Sequence, residues 1–84
     1  ERCYGEALSR DHRAEGKVTF EFVIGQNGAV PEAWARDATL HDCEAIECML
    51  GQFRALEFPV PVGRSVRVIY PISYVVEQQP VTLR

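Results

Sequence analysis

Eighty-four residues, 46% hydrophobic and 25% charged, describe one small globular domain rather than a low-complexity or disordered chain. The net charge of −3 argues against a dedicated nucleic-acid binder, which normally shows a basic stripe. No apolar run reaches the roughly 18 residues a membrane helix needs, so this domain is not expected to insert into a bilayer itself.

The chain opens at Glu1 with neither Met nor leader and reads as a portion of a longer protein. From Glu1 to His12, Tyr4, Ala7 and Leu8 recur at helical spacing, with Glu6, Arg10 and Asp11 on the polar side. That spacing predicts a short amphipathic helix stopped by Gly16. Lys17 to Ile24 then alternates: Val18, Phe20, Phe22 and Ile24 share one face, while Thr19 and Glu21 take the other. Gly25-Gln26-Asn27-Gly28 reads as a hairpin turn, since Asn-Gly accepts the backbone angles a tight turn demands. A phosphate-binding loop would need a following Lys-Ser or Lys-Thr and a helix, and has neither.

Ala29 to Thr39 is the return strand, with Pro31 predicting an edge position or a bulge. Ala33 and Ala35 suit a face closely covered by a helix. Trp34 and Arg36 fall on the opposite face, beside Val23 and Thr19 across the hairpin. An outward Trp34 serves either as a contact residue or as a cross-strand cap on an open face. Asp42 to Leu56 is the main helix, capped by Asp42, with Glu44 at the positive end of its dipole. Ile46, Met49, Leu50, Phe53 and Leu56 form its core stripe, and Cys48 lies off that stripe. Glu57 to Gly63 carries Pro59 and Pro61, which forbid helix and stiffen the link onward; Phe58 is expected to plug the core edge.

Ser65 to Val76 is the longest strand. Val66, Val68, Tyr70, Ile72, Tyr74 and Val76 alternate with Arg67, Ile69, Pro71, Ser73 and Val75. Pro71 has no N–H for a ladder, so this strand belongs at a sheet edge with the missing donor turned outward. Residues 1–76 form the domain; 77–84, with Pro80, read as a mobile polar tail. Two of the three strands contain a proline and Lys17–Ile24 does not, so Lys17–Ile24 is central. The expected fold is α+β: helix-strand-strand-helix-strand, a three-stranded antiparallel sheet in the order second-first-third, with both helices on its apolar face. The other face, carrying Thr19, Glu21, Trp34, Arg36, Arg67, Ile69 and Ser73, stays open.

Three cysteines occur, at 3, 43 and 48. On one helix Cys43 and Cys48 stand about 140° apart and cannot bridge each other, so any bridge must use Cys3. A Cys3–Cys48 bridge would close a loop of roughly 46 residues, worth about 4 kcal/mol. The alternative is three reduced thiols, with Cys43 packed as a small hydrophobe.

An ordered set of residues carries a family resemblance. It comprises Cys3-Tyr4 with Ala7-Leu8, Gly16-Lys17-Val18 leading to Phe20 and Ile24, and Gly28-Ala29-Val30. It continues through Ala38-Thr39-Leu40, Cys48, Phe58-Pro59 and Val68-Ile69-Tyr70-Pro71. From Cys3 to Tyr74 the chain resembles the C-terminal domain of TonB and TolA, and most of all the TonB-like domain of myxobacterial gliding-motility proteins (AgmX/PglI). It departs from that pattern at Leu56, at the single Gly63 and at the extra Cys43. The resemblance implies that Cys3 and Cys48 pair. It also implies a periplasmic domain on a longer, inner-membrane-anchored protein that links a motor to envelope partners in energy transduction, transport or motility.

Three classes of function follow. The first is a binding module that accepts an extended peptide by strand addition along 65–76. Its partner contacts would be Arg67, Ile69, Tyr70, Pro71, Ser73 and Tyr74, with pockets beside the two tyrosines giving selectivity. The opposing possibility is that Pro71 blocks edge association. The second is a structural or self-associating spacer, using the open face at Trp34 and Arg36 or homodimer pairing through the edges. The third is an enzyme or metal site built on His41, Cys43 and Cys48. Zinc would need four converging ligands, and a Cys–His nucleophile a third orienting group and a cleft. Neither is expected, and no cofactor is called for.

Overall fold

Each predicted element forms, in the predicted order. The computed structural model describes residues 2–59 and 63–76. Helix α1 spans Arg2–Arg10, strand β1 Gly16–Ile24, strand β2 Glu32–Ala38, helix α2 Cys43–Arg54 and strand β3 Val66–Tyr74. The sheet order is β2-β1-β3, and both pairings are antiparallel. The linker at 60–62 and the tail at 77–84, read above as a stiff link and a mobile end, lie outside the described residues.

Alternation along β1 builds the core. Val18, Phe20 and Phe22 are buried together with Cys3 and Ala7 of α1 and Ala45, Met49 and Leu50 of α2. Burying a side chain such as Phe20 contributes roughly 2–3 kcal/mol. Phe53 stacks its ring on two of these residues, with centroids 4.8 Å from Phe20 and 5.1 Å from Phe22. Ala33 of β2 is buried beneath α2, and Arg54 donates to its carbonyl at 3.0 Å. Small residues at 33 and 35 thus let the helix approach the sheet.

A disulfide and the contacts of Arg10 tie the helices together. Cys3 and Cys48 form a disulfide with their Cα atoms 5.6 Å apart. Arg10, in the last turn of α1, donates to both carboxylate oxygens of Asp42 at 2.9–3.1 Å. Asp42 also caps α2, accepting from the Ala45 amide at 3.0 Å. The Arg10 hydrogen bond, reinforced by that amide, holds the Asp42 carboxyl below its ordinary pKa. Tyr4 donates to the Ala14 carbonyl at 2.5 Å, and burial, then the nearby Glu15 charge, pushes its hydroxyl pKa up.

Several expectations are corrected. Helix α1 ends at Arg10, not at Gly16: the Asp11 carboxylate accepts from the Arg13 amide and its carbonyl from Ala14, closing a turn there. Gly16 instead opens β1 because its backbone touches the β2–α2 connection; an added Cβ would lie 2.6 Å from the Leu40 nitrogen. The return strand begins at Glu32, not Ala29. Ala29 instead bridges to Glu57, and Gly28 accepts from the Phe58 amide at 2.8 Å. Pro31 therefore precedes β2, and the bulge falls at Arg36. There the register with β1 jumps from Thr19↔Asp37 to Phe20↔Ala35. Leu56 lies beyond the end of α2 and is 43% exposed, so it is no part of the core stripe. Cys43, at the first turn of α2, is free and exposed rather than packed.

Candidate functional site

The direction of each backbone group on β3 follows from two hydrogen bonds elsewhere. The Lys17 carbonyl accepts from Thr39, and the Gly25 amide donates to Ala29, both at 2.7 Å and both toward the β2 side. Backbone groups alternate sides along a strand. Odd residues of β1 therefore address β2 and even residues address β3. The register is continuous from Gly16↔Tyr74 to Ile24↔Val66. Val66, Val68, Tyr70, Ile72 and Tyr74 thus spend their amides and carbonyls on β1. Arg67, Ile69, Pro71 and Ser73 turn theirs away from the sheet. Pro71 sits in this outer row, where its missing donor leaves the β1–β3 ladder intact.

The side chains of the same four outer-row residues lie on the face away from the helices. Ile69 is 52% exposed. Tyr70 and Tyr74 belong to the helix side and part ways there. Tyr70 is 50% exposed and meets Phe53 edge-on, with centroids 6.1 Å apart. Tyr74 packs at 4.9 Å on Tyr4 and sits half-buried against the core. A pocket wall beside Tyr70 is therefore accessible, whereas Tyr74 is already occupied within the molecule.

The face away from the helices holds a feature the sequence did not disclose. Glu21 lies directly opposite Trp34 on one side and Ile69 on the other, and is only 5% exposed. One carboxylate oxygen meets Arg36 at 3.3 Å, and the other meets Arg67 at 3.0 Å. The ion triad crosses all three strands. A buried carboxylate is tolerated because both its oxygens are paired. The bulge leaves Arg36 as the one residue of β2 in this stretch without a β1 partner. Trp34 is half-buried in this setting, directly across from Glu21 and between the levels of Thr19 and Val23. That placement suits a cross-strand cap and leaves part of the ring open on this face. The signal for the triad was present: an acid amid Phe20 and Phe22 on the central strand, with an arginine at an outward position of each neighbour. Reading it required the register.

Cys48 is bridged to Cys3, which removes it from any set with His41 and Cys43. Among the described residues, no three His, Cys, Asp or Glu side chains cluster as metal ligands, and no helix is long and apolar enough to cross a membrane. No family model, characterised protein or solved structure matches the chain.

Proposed function

We propose that this chain is a protein-interaction domain of the TonB/TolA C-terminal kind. It takes an extended segment of a cell-envelope partner as a fourth strand beside β3. The observation that carries the reading is the outer row of β3. Arg67, Ile69 and Ser73 each present a donor and an acceptor, Pro71 an acceptor, on an edge flanked by exposed Ile69 and Tyr70. The missing Pro71 donor concentrates pairing on the Arg67–Ile69 side. The Cys3–Cys48 disulfide fits an oxidising compartment, and together with the family resemblance it supports the periplasm. The resemblance further supports a place on a longer, inner-membrane-anchored protein that transmits energy for transport or motility.

The test is a titration of 15N-labelled domain with a blocked nine-residue peptide of alternating valine and threonine. Amides of residues 66–74 should shift first and saturate together. Shifts confined to α1, α2 or the Trp34 indole would overturn strand addition. A second reading is pairing of two β3 edges, favoured by the exposed Ile69 and Tyr70. Sedimentation velocity over a concentration series decides it, and Trp34→Ala separates edge pairing from association through the open face.

A further inference from the structure

We propose that the segment docking on β3 carries an acidic side chain directly opposite Arg67 and an apolar one two positions along, opposite Ile69. The proposal rests on the strand-addition reading above and specifies its chemistry. Three observations lead to it. First, the triad holds two guanidiniums against one carboxylate, an excess of one positive charge. Glu21 uses one oxygen for each arginine, so its single negative charge is shared between them. The Arg67 side chain is 67% exposed and retains donors that face solvent.

Second, the balance of charge differs between the two edges of the sheet. Residues 63–76 contain Arg64 and Arg67 and no acid, whereas β2 at the far edge carries Glu32 and Asp37 against a single base, Arg36. An otherwise acidic domain, with a net charge of −3, therefore presents its guest edge as basic. Electrostatic complementarity of this kind sets register and partner choice more than raw affinity.

Third, the backbone fixes the alignment. Arg67 and Ile69 belong to the outer row, so a guest residue hydrogen-bonded to either stands directly opposite it, with its side chain on the same open face. The guest residue between them faces the helix side, near Val68 and the accessible ring of Tyr70. Beyond Ile69 the donor row is interrupted at Pro71, so the discriminating contacts sit where the main-chain bonds are complete. The guest pattern is acidic, any residue, apolar.

The experiment uses three acetylated, amidated peptides identical except for Glu, Gln or Lys at one position. Capping both ends leaves the varied side chain as the tested carboxylate. Each is titrated into the domain and into Arg67→Gln, following the amides of residues 66–74. The Glu peptide should bind about three- to fivefold tighter than the Gln peptide at low salt, and the Lys peptide weaker than both. The preference should vanish near 0.5 M NaCl, where the screening length falls to about 4 Å. In Arg67→Gln, the Glu and Gln peptides should bind alike. Glu and Gln peptides that bind wild type equally, while shifting the β3 amides, would overturn the acidic assignment and leave strand addition standing. A Glu preference that survives Arg67→Gln overturns the role of Arg67. Peptides that leave residues 66–74 unperturbed overturn both readings.

Discussion

Breaking the Cys3–Cys48 bond tests how this small fold is held together. The bond spans a sequence separation of 45 residues, for which the chain-entropy relation gives about 4 kcal/mol at 25 °C. A domain of this length has a total stability of roughly 4–13 kcal/mol, taking about 0.05–0.15 kcal/mol per residue. The cross-link therefore accounts for somewhere between a third and nearly all of it. The assay is urea denaturation in a Cys43→Ser background, followed by Trp34 fluorescence and far-ultraviolet dichroism, with and without reductant. With a urea dependence of about 1.2 kcal/mol per molar, the midpoint should fall by about 3 M on reduction. The Cys3→Ala/Cys48→Ala variant should fall at least as far, because Cys3 is completely buried and its truncation also leaves a small void. Native oxidised wild type should show one reactive thiol, Cys43. A midpoint shift below about 0.5 M, or three reactive thiols before reduction, would refute the reasoning.

Two glycines should respond in opposite directions. At Gly28, with φ +87°, an added Cβ would lie 2.1 Å from the Phe58 carbonyl oxygen, so Gly28→Ala should cost more than about 2 kcal/mol in chemical denaturation. At Gly51, within α2, a Cβ meets nothing within 4 Å, and Gly51→Ala should add about 0.5–1 kcal/mol. Glu21→Gln leaves two arginines without their shared carboxylate, and should cost about 1–3 kcal/mol while Arg36→Gln costs less. The Asp42 carboxyl is held below its ordinary pKa by Arg10 and the Ala45 amide. Its contribution is thus fully present above the unfolded value of about 4 and is lost as pH falls through the lower folded value. Asp42→Asn keeps a capping side chain but should flatten the fall in stability between pH 4 and 2, read from thermal midpoints.

The architecture was legible because local signals agreed. An unbroken alternation without proline marked β1 as the centre, and Pro71 marked β3 as an edge. The spacing of Met49, Leu50 and Phe53 marked the face of α2 that meets the sheet. The pairing of Cys3 with Cys48 was only half legible, since spacing excluded Cys43–Cys48 but the choice of partner came from the family resemblance. The site was legible along one strand and not across three. Arg67, Ile69, Pro71 and Ser73 share the outer row as their alternation requires. Tyr74 is taken up by Tyr4 from a helix some seventy positions earlier. The burial of Glu21 depends on Trp34 and Ile69 arriving opposite it, and on a bulge at Arg36 that nothing in the local sequence announces. Leu56 failed for a simpler reason: the apolar period was carried past the point where the helix stops.

The bond between Cys3 and Cys48 also decides how the domain would carry a mechanical load. Tension entering at residue 2 passes through sulfur into the middle of α2 and then onward to β3. Strands β1 and β2, their turns and α1 beyond Cys3 lie inside a closed covalent circuit, so the chain between the two sulfurs cannot be drawn out while they stay joined. Their contour, roughly 150 Å if fully drawn out, stays locked away as long as the sulfurs remain joined. A pull between the start of the chain and β3 would therefore be met by this bond and by the β1–β3 ladder, and could not draw β1 or β2 out lengthwise.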